Sequence, residues 1–286
     1  MSDENNNNEA DTVSAKKGLR SASSFPMASF LIAGALRPHV VTFFAFAREL
    51  DDLSDNTDIM PDDKLVRMSA MEAVLMGETS DPSFETSLRM AASLKVTGVS
   101  NTHCLSMIKG AKQDATKSRY ETWDELLDYC HCAAVPIGRY LLDLHGENKK
   151  IYPLTDVLCS ALQIINHIQD CREDFINLDR VYIPQDILTK YSVPLTDLEQ
   201  KACSPSLRGV IDVCLDRVDE LLEQAALLPE EISTKPLGME TAVIIKIAKK
   251  LVKGLRKKDP LSGPVMLNRF QYMAAGFRGV FSFPSA

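Results

Sequence analysis

Apolar positions recur every three or four residues along most of this chain, the spacing of helices that bury one face. Residues 28–35 read as a short apolar helix. A longer one begins at Arg37-Pro38, with proline at an allowed first-turn position, and runs through Asp55 to end near Asn56. Pro61 opens another, apolar at Leu65, Met68, Met71 and Leu75. Helices then start at Pro82, reaching about Lys95, and at Asn101, reaching about Lys117. Residues 123–145 keep the helical period but contain Pro136 and Gly138, which should bend or break it. Pro153 opens a long helix that carries the stretch NHIQDCRED, and DRVYIP after it reads as a polar turn and a tight irregular segment. Helices are expected again at about 185–191, 205–228, 239–257 and 264–280. Alternating β-branched runs, a βαβ rhythm and internal repeats are absent. The pattern therefore predicts an all-α, single-domain fold over 21–286, behind a tail at 1–20 whose Asn-rich polar composition cannot support a core.

Two of these helices carry acidic stripes. Asn166, Asp170 and Asp174 are spaced i, i+4, i+8, which places three oxygen-bearing side chains on one helix face. Far upstream, RELDDLSD repeats the device with Asp51 and Asp55 at i, i+4. Acidic residues at this spacing usually form a solvated face. Here the runs before them, VVTFFAFAREL and VLCSALQIINHI, are apolar almost all round, as in buried helices. Buried carboxylates need partners or metals, and like charges set close together repel unless cations neutralise them. Mg²⁺ takes oxygen ligands, often one or two carboxylates plus substrate phosphates. A Mg²⁺-diphosphate site between two facing helices is the expectation.

The 286-residue chain is 45% hydrophobic and 25% charged, ordinary for a globular protein with ample length for a large core. A net charge of -7 argues against nucleic acid as a partner. It also means that an anionic substrate needs local cations. The seven cysteines are scattered without a CxxC pair, and Cys130-His131-Cys132 does not match zinc-ligand spacing. Free thiols fit a cytoplasmic location, as does a polar N-terminus unlike a signal peptide. No uncharged apolar run reaches membrane-spanning length. The C-terminal run FQYMAAGFRGVFSFP fits either a packed terminal helix or peripheral contact with a membrane surface. No G-x-G-x-x-G or P-loop is present, so a nucleotide cofactor has no support.

At the acidic stretches the chain resembles the squalene/phytoene synthase family of head-to-head prenyl synthases. FFAFARELDDLSD is similar to that family's first aspartate-rich motif, and NHIQDCREDFINLDRVYIP to its second with the trailing R-x-Y-x-P. YCHCAAVPIG resembles the segment between them, and the blocks occur in the family's order across about 25–280. The resemblance implies an isoprenoid-synthase helical bundle with a central apolar cavity, and Mg²⁺ held at its mouth by both motifs. It implies metal ligation by Asp51, Asp52, Asp55, Asn166, Asp170 and Asp174. It implies diphosphate contacts from Arg48 and Arg180, with Gln169 and Tyr182 beside the substrate, and Tyr129 near the reacting carbons. The chemistry suits those roles. Diphosphate leaves well only when its developing charge is neutralised, and arginine offers a fork of donors matched to phosphate. The carbocation left behind needs a dry cavity with an aromatic lining. Phe43, Phe44 and Phe46 are as readily plain core, so the expectation rests on Tyr129.

Within the family, SFPMAS, LRPHV, AVPIGRYLLDLHGE and LQIINHIQDCREDFINLDRVYIP resemble the branch that opens presqualene diphosphate with water, giving hydroxysqualene and diphosphate. Many condensing members carry arginine where this chain has Gln169, and losing that cation suits a substrate with one diphosphate rather than two. Condensation of two prenyl diphosphates is the alternative reading. A non-catalytic assembly partner of neighbouring isoprenoid enzymes ranks last, because the carboxylates are retained. Arg139 and Arg172 fit either phosphate contacts or surface and helix-pairing roles, and His131 and His167 read as core histidines rather than bases.

Overall fold

The structure, a computed structural model, describes residues 34–265. The tail, nearly all of the helix at 28–35 and of that at 264–280, and the C-terminal apolar run lie outside the described residues. Within them the fold is all-α, as the periodicity predicts; the sole β-pairing among these residues is an isolated bridge between Arg119 and Val181. The longer helices are α1 (Arg37–Asp55), α2 (Pro61–Met76), α3 (Glu85–Thr97), α4 (Thr102–Thr116), α5 (Trp123–Ala133) and α6 (Val135–Leu144). They continue with α7 (Tyr152–Gln169), α8 (Cys171–Leu178), α9 (Gln185–Lys190), α10 (Pro205–Gln224), α11 (Leu228–Glu231) and α12 (Lys235–Lys257).

Two expectations need correction, and the break expected within 123–145 falls at its proline. The helix expected from Pro82 begins with a 3₁₀ turn, Pro82–Phe84, whose N-cap Asp81 accepts from Ser83 N. Residues 123–145 break at Ala134 (φ −112°, ψ −41°), and Pro136 then occupies the first turn of α6, where its missing N–H costs nothing. The long helix meant to carry all three residues of the second acidic stripe is interrupted at Asp170 (φ −104°, ψ 8°). The i→i−4 bonds Asp170 N to Asn166 O (2.9 Å) and Asp174 N to Asp170 O (2.8 Å) run through the interruption and keep the two halves in register.

Two apolar clusters form the core. One gathers α1 to α4 with Tyr140 and Leu144 of α6, and Phe43 stacks flat on Tyr140 with centroids 3.8 Å apart. Such a ring pair adds about 0.5–1.5 kcal/mol beyond its buried area. The other packs α5, α7, α10 and α12. A cavity of about 330 Å³ lies between them, with Phe44, Asp51 and Met107 on one wall and Leu158, Asn166 and Leu237 on the other.

Close helix approach sets the cavity wall. A Cβ on Gly110 of α4 would lie 2.9 Å from the Ala133 backbone of α5. One turn away from that contact, in opposite directions along the chain, stand Asp114 and Tyr129. Gly110→Ala should therefore force the helices apart and lower stability by about 1–3 kcal/mol, read as a lower urea midpoint; an unchanged midpoint would contradict the close approach.

Candidate active site at the cavity mouth

The cavity mouth is built from the C-terminal half of α1. Phe44, Ala47, Arg48, Asp51 and Ser54 recur at helical spacing and line it, while Phe43, Phe46 and Leu50 are buried, Phe43 and Phe46 in the core on other sides of the helix. Across the cavity, α7 presents Thr155, Leu158, Cys159, Leu162, Gln163 and Asn166. Neither Asp170 nor Asp174 lines the cavity itself; Asp174, on α8, lies near Asp55 and 3.9 Å from His167 Nδ1.

The segment after α8 ties the two acidic stretches together. Asp179 caps α8 in the left-handed region (φ 51°), a conformation aspartate tolerates better than most side chains. Arg119 holds it there through the Asp179 carbonyl and carboxylate. Val181 N then donates to Ser118 O (2.9 Å) and Gln185 N to Tyr120 O (2.9 Å), which seats the segment, bent at Ile183, along residues 118–120. Val181 and Ile183 enter the core, whereas Arg180 and Tyr182 turn to the site. Arg180 is buried; it donates Nη1 to Asp55 Oδ1 (2.5 Å) and Nη2 to Ser54 O (2.7 Å). Lys64 Nζ also reaches Ser54 O (2.7 Å). Two cations thus meet the last turn of α1, where the helix dipole favours them by about 0.3–1 kcal/mol each.

The carboxylates around Arg180 remain in tension. Water reaches Asp51 at the mouth, yet protein fills most of the space around it. That desolvation, then Asp55, Asp114 and Asp52, pushes its pKa up to about 7 against the pull of Arg180. Asp174 is likewise raised to about 7, by burial and then by Asp55, with Arg180 opposing. His167 is driven down to about 4 by burial and is neutral near pH 7. It stacks on Tyr182 (centroids 3.5 Å) and shares a 3.0 Å hydrogen bond with the Gln163 amide.

Several predicted residues sit elsewhere. Asp52 is exposed, one residue round the helix from the cavity face, and lies 3.8 Å from Arg48. Gln169 is buried but faces away from the cavity, donating Nε2 to Val265 O (2.6 Å). Arg139 grips Asp156 with Nε (2.8 Å) and Nη2 (2.5 Å), pairing α6 with α7, and Arg172 donates to Gln200 O (3.0 Å). Cys130 is buried in the core, whereas His131, expected in the core, is exposed. Among the described residues no three acidic, histidine or cysteine side chains converge as a ready metal centre.

Two acids escaped the sequence reading. Asp114 lines the cavity from α4 and accepts from Tyr129 Oη and Tyr182 Oη, each at 2.8 Å. Its signal was a lone acid continuing the Met107, Ala111 stripe at i+7 and i+3. Glu240, buried on α12, lines the wall beside Leu237 and Thr241.

An all-helical shell around an apolar cavity, with carboxylates and arginines gathered at one opening, defines a class of protein that admits an apolar chain with a polyanionic head. The comparisons are specific. The squalene/phytoene synthase family model matches residues 19–271, and the chain belongs to that family. Enzymes of this family are prenyl synthases that act on prenyl diphosphates and generally use divalent metal ions. A hydroxysqualene synthase of Zymomonas mobilis is 37% identical over 256 residues, 89% of this chain and 86% of that protein. One from Sinorhizobium fredii is 35% identical over 253 residues, 88% of this chain and 86% of its own length. The crystal structure of squalene synthase HpnC from Alicyclobacillus acidocaldarius superposes with a TM-score of 0.71 at 25% identity, covering 85% of this chain and 93% of that one.

The raised carboxyls have a thermodynamic consequence. Asp51 and Asp174 bind protons in the folded protein near neutrality, whereas unfolded aspartates release them near pH 4. Stability then falls as pH rises through about 7. His167, depressed when folded, adds stability as pH rises, but its unfolded form stops binding protons above about pH 6.5, so one imidazole opposes two carboxyls. In metal-free protein the free energy of unfolding should drop between about pH 6 and 8, measured by urea denaturation in EDTA. A rise across that window would contradict the repulsion.

Proposed function

We propose that this protein converts presqualene diphosphate and water to hydroxysqualene and diphosphate, with Mg²⁺ as the metal. The observation that carries the reading is the juxtaposition of Asp51 and Asp55 from the first stretch with Asp174 from the second, at the opening of an apolar cavity. The relatives named hydroxysqualene synthase, 35–37% identical over nearly the whole chain, support the branch.

The donor set suits a hard cation. Carboxylate and amide oxygens from Asp51, Asp55, Asn166, Asp170 and Asp174 are ligands of the Mg²⁺ type, and substrate phosphates normally complete such coordination. Bound there, Mg²⁺ would neutralise charge on the departing diphosphate. Asp52, turned outward, belongs to this set only if α1 rotates, and the proposal leaves it out. Arg48, at the mouth, is placed for a diphosphate oxygen. Arg180 holds Asp55 and the end of α1 in position, so its contribution to the anion is made from behind the first carboxylate. Tyr129, with Phe44 and the aliphatic wall, surrounds the carbon framework and keeps bulk water out.

Among the described residues lining the cavity, Arg48 is the single arginine or lysine. That supports a substrate with one diphosphate over condensation of two prenyl diphosphates. Gln169 fits the same reading, since its amide is committed to Val265 and adds no cation to the mouth. We place the enzyme in the cytoplasm, receiving its substrate from the enzyme that makes presqualene diphosphate; among the described residues no helix is long and apolar enough to cross a membrane.

Purified protein with Mg²⁺ and no NADPH should turn presqualene diphosphate into hydroxysqualene, identified by mass spectrometry, and leave farnesyl diphosphate unreacted. Presqualene diphosphate formed from farnesyl diphosphate would move the protein to the condensing branch.

A further inference from the structure

The proposed reaction needs a group that takes a proton from the capturing water, and the cavity contains a pair of residues suited to it. Tyr129 and Asp114 both line the cavity. The carbon that loses diphosphate must lie within a bond or two of the mouth, where Asp51 and Arg48 stand, and Asp114 is close enough to Asp51 to raise its pKa. Glu240, the other buried acid of the cavity, stands near the far end. The N-terminus of α12 is anchored beside α6 by Ser233 and Thr234 N donating to Glu147 (2.9 and 2.7 Å), whereas Gln169 at the mouth end of α7 meets Val265 beyond the C-terminus of α12. Glu240, five residues into α12, is therefore remote from the ionising carbon.

Asp114 accepts a hydrogen bond from each of two phenols, Tyr129 Oη on Oδ2 and Tyr182 Oη on Oδ1, both at 2.8 Å. With its hydrogen committed to Asp114, the Tyr129 oxygen has only lone pairs left for anything else that approaches it. It is an acceptor by construction and cannot donate to the diphosphate. Tyr182 is itself clamped between Asp114 and the ring of neutral His167, so the carboxylate cannot swing away from Tyr129 without losing a second bond.

We propose that Asp114 acts through Tyr129 as the proton acceptor for the water that captures the carbocation, an inference that rests on the hydroxysqualene reading above. The water oxygen forms its bond to the cationic carbon. One water proton passes to Tyr129 Oη as the phenol proton passes to Asp114 Oδ2. Carbocation, water and carboxylate thus become alcohol and carboxylic acid, with charge conserved and no further reactant. The proton returns to solvent when the product leaves. Burial raises the pKa of Asp114, so the carboxyl is suited to hold the proton for the interval. Asp114 is a positioning residue in this scheme, because Tyr129 alone meets the water.

The test gives full-length wild type, D114N, D114E and Y129F the same presqualene diphosphate with Mg²⁺. It reads diphosphate released and, separately, the share of C30 product carrying oxygen; thermal melts check folding. Loss of the relay leaves ionisation in place and diverts the cation to hydrocarbons by proton loss. D114N and Y129F should therefore lose the oxygenated share by roughly 10-fold or more, within the range of general-base effects. D114E, which keeps a carboxylate, should recover part of it. A purely structural role would slow diphosphate release and leave the share unchanged, and that result in either variant overturns the inference. Should D114N fail to fold, Y129F decides: an oxygenated share equal to wild type overturns the proposal. If wild type itself makes no alcohol, the hydroxysqualene reading falls and the relay falls with it; if wild type makes alcohol and the variants make the same share, the relay alone falls.

Discussion

Carboxylates crowded at the opening of an apolar cavity, with too little positive charge to balance them, are the constraint on which the rest of the structure depends. Asp51, Asp55, Asp114 and Asp174 share one neighbourhood, and Arg180 acts on all but Asp55 through its charge and on Asp55 by direct contact. Desolvation and mutual repulsion hold Asp51 and Asp174 near neutrality in their titration, so the site stores a demand for further cations. A protein optimised for stability alone would place aliphatic side chains there, because removing charges from water costs more than their pairing returns. A polyanionic head arriving with divalent metal ions, as proposed above, would meet that demand, and the apolar cavity behind the mouth would receive the chain attached to that head.

The framework that fixes this arrangement is economical. Gly110 lets α4 approach the Ala133 backbone of α5, which brings Asp114 against Tyr129 one turn away. The segment 180–183, held along residues 118–120, sends Arg180 to Asp55 and Tyr182 to Asp114. Both tyrosines, both acidic stretches and the arginine are thereby linked through a few hydrogen bonds that do not depend on any ligand. A cavity built in this way can keep its geometry while the mouth changes charge.

How much of this was legible in the sequence depended on whether the signal was periodic or tertiary. The helices, and the apolar faces of α1 and α7, followed directly from hydrophobic spacing; the break beside Pro136 within 123–145 was marked by the proline, whereas Gly138 lies inside α6 without interrupting it. The two acidic stripes stood out because carboxylates interrupted otherwise buried faces. The interruption of the helix at Asp170 left no mark, since Asp170 carries no proline or glycine beside it. Nor did Gln169 reveal that it faces Val265, a contact 96 residues away that no local pattern encodes. Asp52 looked equivalent to Asp51 in the sequence, but one residue is about 100° around a helix, and only one of the pair can face a given cavity. Asp114 was readable in principle, as an isolated acid on an apolar stripe, yet without knowledge that Tyr129 and Tyr182 converge on it there was no reason to separate it from a solvated side chain.

The account's central claim is that the two acidic stretches form a single metal-diphosphate site. The most direct measurement is anomalous diffraction from crystals grown with Mn²⁺ and inorganic pyrophosphate. Metal peaks within coordination distance of oxygens from both stretches, Asp51 or Asp55 on one side and Asn166, Asp170 or Asp174 on the other, joined through pyrophosphate, are the expected result. Peaks confined to one stretch, or pyrophosphate bound away from the mouth, would contradict it.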